Sequence, residues 1–304
     1  MTHATRSRPA GAPLSAPAPD PVRLRRPRAE DAEAIGRIAY AAFRDINETH
    51  GFPPDFPSVE AATGFATAMI GDASVFGVVA EAGGRVVGSN FLLERDPVRC
   101  VGPISVDPAW QGTGIGRALM QAVLDRAGAA PVRLVQAAFN SRSLSLYASL
   151  GFAVKEPLAL LQGRPAAPPR PGVHVRPMEA ADLAASAALC AEIHGISRAA
   201  ELGDALGRFG PMVVERAGRI TGYLTAPGFW LMNHGVATSA EDMTALLAGA
   251  AAAAGPVSLL VPIRQTALFR WCLGAGMRVV MPLTLMTRGA YGEPEGVWFP
   301  SVYY

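Results

Sequence analysis

One stretch of this 304-residue chain organises the rest: ISVDPAWQGTGIGRALM, residues 104–120. It begins as an apolar strand and breaks at Asp107-Pro108, because proline cannot donate to a sheet ladder and restricts the residue before it. Three glycines then alternate at positions 112, 114 and 116, and an amphipathic helix follows directly. The first N–H groups of a helix lack internal partners, and glycine lets a ligand approach them closely. The pattern therefore predicts a site for a phosphate-bearing ligand.

Three kinds of ligand compete for this loop. A dinucleotide site favours G-x-G-x-x-G early in a βαβ unit, with an acidic residue about 20 residues later. Here the spacing is G-x-G-x-G, and the next strand, residues 132–138, ends without an acid. A nucleoside-triphosphate loop needs Gly-Lys-Ser/Thr, which the sequence lacks. The third ligand is acyl-CoA, because Gln111 to Gly116 resembles the Q/R-x-x-G-x-G/A signature of the GNAT N-acetyltransferase superfamily.

A second segment, Asn140 to Phe152, resembles another cofactor motif of the same superfamily. The resemblance covers residues 22–162 well and residues 173–290 weakly. It implies a mixed, V-splayed β-sheet with acetyl-CoA inserted at the splay. It also implies direct transfer of the acetyl group from the thioester to a primary amine.

The resemblance assigns roles to individual positions. The cofactor-binding residues would be Ile104, Val106, Gln111, Gly112, Thr113, Gly114, Ile115, Gly116, Arg117, Asn140 and Ser143. Tyr147 matches the tyrosine that protonates the departing thiolate, with a plain core position as the alternative. Asn140 could equally cap a helix, and Arg117 could touch a phosphate or face solvent. A strand N–H near Ile104 would stabilise the oxyanion.

No general base for the acceptor amine is singled out. The acceptor-side candidates are Glu48, His50, Asn90 and Glu94. Glu48 and His50 fall in a polar, proline-stiffened segment predicted to be a loop, whereas Asn90 and Glu94 fall on or after the strand at residues 85–93. A water relay without a single base is equally consistent with the sequence. Phe52, Phe56 and the C-terminal aromatic residues would suit a small amine with an apolar body.

The chain divides into two halves. Residues 1–21, rich in proline and alanine, are predicted to be a disordered tail. A proline-rich linker at residues 163–172 separates a catalytic domain, residues 22–162, from residues 173–304. Pro131–Leu161 aligns without gaps on Pro256–Met286, so the second domain is a shorter repeat. It lacks the glycine loop, which leaves structural support, shaping of the acceptor pocket or homodimer formation as its roles.

The predicted fold class is α/β with a mixed sheet: tandem GNAT-like domains, the second degenerate, each a splayed, mostly antiparallel sheet flanked by helices. A net charge of +2 indicates no nucleic-acid partner, and no apolar run reaches the ~18 residues of a membrane helix. Three separated cysteines and five scattered histidines suggest no metal and a cytoplasmic location. The partner would be a small-molecule or peptide amine. The alternative function is a non-catalytic acyl-CoA-binding or sensor protein.

Overall fold

The computed structural model describes residues 21–168 and 170–303. Within these ranges the chain is a mixed α/β structure whose two sheets are mostly antiparallel and flanked by helices. The predicted tail at residues 1–21 lies, except for its last residue, outside the described part. Among the described helices, none combines the length and the apolar character needed to cross a bilayer.

The first half contains the predicted strand, glycine loop and helix within a longer series of elements. These are β1 (Arg23–Arg25), α1 (Ala32–Thr49), α2 (Val59–Gly71), β2 (Val75–Ala82), β3 (Arg85–Leu93), β4 (Arg99–Val101), β5 (Ser105–Val106), α3 (Ile115–Ala127), β6 (Val132–Ala137), α4 (Ser141–Ser149) and β7 (Ala153–Gly163). Two details differ from the sequence prediction. Helix α1 continues to Thr49, so Glu48 lies on its last turn and not in a loop. The strand before the glycine loop is split into β4 and β5, because Gly102 (φ 135°) and Pro103 interrupt it.

The second half repeats this order, except that one strand stands in place of β4 and β5 and an additional strand follows the last long one. These are β8 (Val173–Pro177), α5 (Leu183–His194), α6 (Ala199–Leu206), β9 (Met212–Arg216), β10 (Arg219–Leu224), β11 (Gly235–Ala237), α7 (Ala240–Ala254), β12 (Val257–Pro262), α8 (Thr266–Gly274), β13 (Arg278–Arg288) and β14 (Val297–Phe299).

The same ionic cluster opens both halves. In the first half the Arg25 guanidinium donates to Asp31 at 2.6 and 2.9 Å and to Glu81 at 2.7 Å. In the second half Arg176 donates to Asp182 at 2.6 and 3.0 Å and also to a glutamate, Glu215 of β9. Each cluster ties the first strand of its half to the start of the following helix. The hydrogen bonds from arginine lower the pKa of Asp31 and Asp182.

The two sheets do not correspond to the two halves of the chain, because the larger sheet contains strands from both. The larger sheet has the order β1-β2-β3-β4-β6-β13-β7-β12, with β5 paired to β3 beside this path, and the smaller has the order β14-β11-β10-β9-β8. Strand β13 therefore lies between β6 and β7, and β7 pairs in turn with β12. The last long strand of each half thus pairs with a strand of the other half. The sequence did not indicate this exchange.

The exchange obeys an approximate two-fold symmetry. Leu158 of β7 faces Leu283 of β13, its equivalent at the repeat offset of 125 residues. The β6–β13 and β7–β12 ladders have the same register, because the offset of 125 residues converts each residue pair of one ladder into a pair of the other. The irregularities of the β7–β13 ladder fall at equivalent positions as well, where Lys155 and Val280 are left unpaired. This symmetry makes the two halves one hydrophobic unit, and Leu158, Leu283 and Leu285 share a core cluster with Val213 and Tyr223.

We predict that the exchanged strand β13 carries a large share of the stability. Leu285 is fully buried on β13 between β6 and β7, so Leu285→Ala should lower the free energy of unfolding by about 2–5 kcal/mol in urea titrations. Val279 lies on the same strand but is 49% exposed. Val279→Thr keeps the β-branch and should change that energy by less than about 0.5 kcal/mol. Equal effects of the two substitutions would contradict a core built around β13.

Candidate active site

A cleft opens where β4 and β6 separate. These strands pair in parallel only at Arg99–Val132 and Cys100–Arg133. Beyond that point β5 pairs with β3, whereas β6 continues alongside β13. The cleft between them has a volume of about 630 Å³ and is lined by residues 101–106 on one side and 134–137 on the other. Among the described strands none pairs with the second edge of β5, so its backbone is open to an extended ligand.

The glycine loop closes one end of this cleft. Gly112 (φ 83°) and Gly114 (φ 92°) adopt left-handed conformations that only glycine takes without strain. Gly114 is the N-cap of α3 and supplies no side-chain cap, so the first N–H groups of the helix are directed to whatever occupies the loop. Asp107 accepts from the Ala109 N–H at 2.9 Å and Thr113 donates to the Trp110 carbonyl at 2.7 Å. These bonds hold the loop in an anion-binding shape.

Two arginines line the cleft beside the loop. Arg142, on the first turn of α4, donates to the Gln111 side chain at 2.6 Å. Arg117, on the first turn of α3, donates to Ser149 at 2.7 Å. Both guanidinium groups are exposed, so they add positive charge where a phosphate would meet the helix N-terminus. Arg142 was not singled out from the sequence, because a single arginine carries no motif until the fold brings it to the loop.

The start of α4 faces the same cleft. Asn140 is its N-cap and accepts from the Ser143 N–H at 3.1 Å. The Ser143 hydroxyl donates to the buried Gln136 side chain at 2.9 Å. One turn later Tyr147 is only 6% exposed yet reaches the cleft. Burial raises the pKa of the Tyr147 phenol, so it stays protonated at neutral pH and can act as a proton donor.

A carboxylate that the sequence analysis missed lies toward the other end of the cleft. Asp55, in the segment between α1 and α2, lines the cleft and is partly buried. Its Oδ1 accepts from the Asn47 side chain at 3.3 Å, and Asn47 also donates to the Pro53 carbonyl at 2.9 Å. Burial raises the pKa of Asp55 to about 6. The only signal in the sequence was an acid within a segment rich in proline and phenylalanine.

The four acceptor-side candidates fall in different places. His50 lines the cleft, with its Nδ1 at 2.8 Å from the Ile46 carbonyl and its ring 5.1 Å from that of Phe139. Glu48 is exposed and pairs with Arg44. Glu94 receives two bonds from Arg126, both of 2.9 Å. Asn90 is fully buried under α3, 3.4 Å from the Leu119 carbonyl. Glu48, Asn90 and Glu94 are not among the described residues that line the cleft.

The predicted cofactor residues are mostly brought together. Those lining the cleft are Ile104, Val106, Gln111, Gly112, Gly114, Gly116, Arg117, Asn140 and Ser143. Ile115 points into the core and is 3% exposed, while Thr113 is exposed and bonded within the loop. These two could contribute only through their backbone or through loop shape.

The second half completes the walls of the cleft. Met281 and Leu283 of β13, Trp230 and Leu231, and Val302 and Tyr303 all line it. The C-terminal segment is held in place by Arg198, which donates to Ser301 at 3.1 Å and to the Tyr303 carbonyl at 3.3 Å. In addition the Val302 N–H donates to the Leu231 carbonyl at 2.9 Å. This cleft is therefore a product of both halves.

The equivalent region of the second half is filled by the chain itself. Strand β14 pairs with β11, along the edge that corresponds to the open edge of β5. Gln265, the counterpart of Asn140 at the 125-residue offset, donates to the Trp298 carbonyl at 2.6 Å and accepts from its N–H at 3.4 Å. Helix α7, the counterpart of α3, carries Glu241 and Asp242 in its first turn, whereas α3 has no acid there. The Ser239 hydroxyl caps α7 by accepting from the Asp242 N–H at 3.1 Å, and the two carboxylates already place negative charge at this helix N-terminus.

A buried group in the second half has ligand atoms close enough for a metal ion. One ligand atom each from Cys190, His194 and His234 lie within 4.8 Å of one another. The Nε2 atoms of the histidines are 3.0 Å apart, and Tyr223 reaches His234 Nδ1 at 3.1 Å. Burial and the Arg198 charge hold the pKa of both imidazoles well below the usual range. A chain of hydrogen bonds between neutral side chains fits these contacts, and the nearby positive charge of Arg198 disfavours a bound cation. The absence of a metal therefore agrees with these contacts but stays a prediction.

The first half is similar in sequence to known acetyltransferases. Residues 73–154 match the family described as Acetyltransferase (GNAT) domain. Over 79 residues the chain is 43% identical to N-alpha-acetyltransferase RimI of Mycobacterium tuberculosis, covering 25% of this chain and 50% of that protein. Over 66 residues it is 44% identical to mycothiol acetyltransferase of Nocardiopsis dassonvillei, covering 21% and 20%. The chain thus spans half or less of the length of these curated relatives.

Solved structures resemble the chain over nearly its whole length. A Pyrococcus horikoshii protein assigned as an acetyltransferase superposes with a TM-score of 0.72 at 16% identity, covering 93% of this chain and 94% of that one. A GCN5-related N-acetyltransferase from Sphaerobacter thermophilus gives 0.60 at 18% identity, covering 91% and 97%. At these identities the likeness is one of fold, and it extends over both halves.

Proposed function

We propose that this chain, which carries a GNAT acetyltransferase domain over residues 73–154, transfers an acetyl group from acetyl-CoA to a primary amine. One observation carries the proposal: the edge of β5 that no described strand pairs leads directly to the glycine loop and the open N-terminus of α3. An extended, amide-rich arm that ends in a pyrophosphate has the shape and polarity that this combination accepts.

The residues of the loop fit a pyrophosphate. A Cβ at Gly112 or Gly114 would meet no atom within 4 Å, so the ligand side of the loop is open, and the left-handed φ angles keep these positions glycine. The backbone N–H groups of residues 112–117 would donate to the phosphate oxygens. Arg117 and Arg142 would add charge-assisted bonds from the two neighbouring helices. Acetyl-CoA supplies the acetyl thioester, and this chain supplies its orientation.

The pantetheine arm would lie between β5 and β6. The backbone of Ile104 and Val106 offers donors and acceptors on one side, and Gln136 with Asn140 and Ser143 offers polar groups on the other. A backbone N–H near Ile104 would stabilise the negative charge that develops on the thioester oxygen. Van der Waals contacts with Met281 and Leu283 would exclude water from this part of the cleft.

In the reaction the amine nitrogen attacks the thioester carbonyl carbon and the carbon–sulfur bond breaks. The Tyr147 phenol would give its proton to the departing thiolate. The raised pKa of Tyr147 keeps the phenol protonated over the physiological pH range, so its proton is available before the acetyl group arrives.

We further propose that the second half is a GNAT-like repeat that no longer takes acetyl-CoA. The repeated Arg–Asp–Glu cluster and the symmetric β7–β13 pairing support descent from one unit. The β14 strand along β11, bonded to Gln265, supports the loss of binding, because it lies where a cofactor arm would run. Its remaining roles are to supply β13 to the first sheet and residues to the cleft.

The cofactor site is tested by Gly114→Ala. An alanine in the left-handed conformation costs about 1–2 kcal/mol. We expect the loop to relieve this strain by changing its backbone conformation, which moves the N–H groups away from the phosphates. We expect the affinity for acetyl-CoA in isothermal titration calorimetry to fall about tenfold or more. Gly64→Ala is the matched control, since Gly64 lies in α2 with open space around it. Equal affinities for the two variants, or no binding by the unaltered chain, would remove the proposal.

The proton donor is tested by Tyr147→Phe. With any amine that supports CoA release, we expect kcat to fall about 10²–10⁴-fold while the affinity for acetyl-CoA is unchanged. Tyr40→Phe on α1 is the control, because Tyr40 is partly exposed and packs against Arg44 outside the cleft. An unchanged kcat for Tyr147→Phe would show that this tyrosine is only a core residue.

A further inference from the structure

We propose that the acceptor is a small primary amine with an aromatic or apolar body, whose ammonium group is bound and deprotonated by Asp55 and whose body packs among aromatic side chains from both halves. This inference rests on the proposed acetyl transfer. It adds the acceptor class, the acceptor carboxylate and a specificity contribution from the C-terminal segment.

The first step is the charge state of Asp55. Its carboxylate accepts a bond from Asn47, and no ion pair joins it to any cation in the described part of the chain. A partly buried carboxylate without a cationic neighbour is stabilised when a cation binds beside it. An alkylammonium group entering the cleft would supply that charge. The other titratable groups that line this part of the cleft are Asp45 and His50 at the end of α1 and Tyr303 of the C-terminal segment.

The second step is the shape of the surrounding wall. Aromatic rings follow one another from α1 to the C-terminus: Phe43 to Phe56 at 6.0 Å, Phe56 to Phe65 at 5.8 Å, and Phe65 to Tyr303 at 6.4 Å. In addition, Phe52 stacks on Phe139 at 4.4 Å, and Phe139 lines the cleft just before Asn140. Such walls favour an apolar or aromatic body, and ring faces also attract the ammonium group.

The third step excludes other acceptor chemistry. A sugar amine needs many paired hydroxyl groups, and a polyamine needs several separated carboxylates. In the described part of the chain, the carboxylates that line the cleft are Asp45 and Asp55, both at the α1–α2 end. Trp230, Val302 and Tyr303 close the cleft from the second half, which leaves room for a compact molecule. One ammonium on a small apolar body satisfies all these surfaces.

Two protons leave the acceptor nitrogen during the reaction. The ammonium group gives one proton to the Asp55 carboxylate, and the neutral amine then attacks the thioester carbon. As the carbon–sulfur bond breaks, Tyr147 gives its proton to the departing thiolate, and the nitrogen loses a second proton, which passes through water to the Tyr147 phenolate and restores it. Asp55 returns its proton to water, so the products are the N-acetyl amine, free CoA thiol and one released proton.

The acceptor class is tested by CoA release with saturating acetyl-CoA and four amines: 2-phenylethylamine, spermidine, glucosamine and a glycyl tripeptide. We expect kcat/KM for 2-phenylethylamine to exceed each of the others by about tenfold or more, since each unpaired polar group in an apolar site costs over 1 kcal/mol. Preference for any of the other three would overturn the acceptor class, yet leave acetyl transfer standing. No release with any amine, together with no acetyl-CoA binding, would instead remove the proposed function.

The residues are tested in the same assay. Asp55→Asn should lower kcat/KM for 2-phenylethylamine about 10²-fold or more and abolish the rise in kcat/KM between pH 5 and 7 that a carboxyl with a pKa of about 6 produces. Acetyl-CoA affinity should not change. Glu48→Gln is the control, because Glu48 is an exposed acid on the last turn of α1 outside the cleft. Equal effects of the two variants would exclude Asp55.

The contribution of the second half is tested by Tyr303→Ala and Tyr303→Phe. Loss of the ring should raise KM for 2-phenylethylamine about tenfold with little change in kcat, since ring stacking and burial are worth about 1–2 kcal/mol. Tyr303→Phe keeps the stack on Phe65 and should retain the KM of the unaltered chain. If Tyr303→Ala lowers the thermal midpoint without changing KM, the residue supports the fold and does not contact the acceptor.

Discussion

The pairing of β7 with β13 is the interaction on which the rest of the structure depends. Both strands are eleven residues long and have nearly the same alternation of buried and exposed positions. Without β13, the edges of β6 and β7 would expose unpaired backbone groups and the leucines of the largest core cluster. Because β7 also pairs with β12, the two halves bury one continuous surface and neither closes its sheet alone.

The cleft is a consequence of where this sheet is interrupted. At Gly102 and Pro103 the chain separates from β6 while it stays beside β3, so β5 has one edge that no described strand pairs, and this edge leads to the glycine loop. The second half has the same opening, but β14 is paired along β11 there. One backbone edge therefore remains for a ligand, and the other is satisfied by the chain.

The local features of the site could be predicted, and the distant ones could not. The glycine loop, the helix after it and the Asn140–Tyr147 segment follow from turn chemistry and helix periodicity within about forty-five consecutive residues. Asp55 and Arg142 carry no motif, and they reach the cleft only when the α1–α2 segment and α4 fold onto it. Strand exchange was hidden for a different reason: two copies of one pattern specify the same strands whichever partner each strand chooses.

The local two-fold axis between Leu158 and Leu283 has an evolutionary consequence. This arrangement is the one expected if a strand-exchanged dimer of identical subunits had been joined in tandem by gene duplication. In such a dimer every substitution appears in both clefts, so neither can change alone. Joining the copies into one chain removes that restriction. One cleft can then be closed by β14, while the residues that follow β14 become free to shape the other.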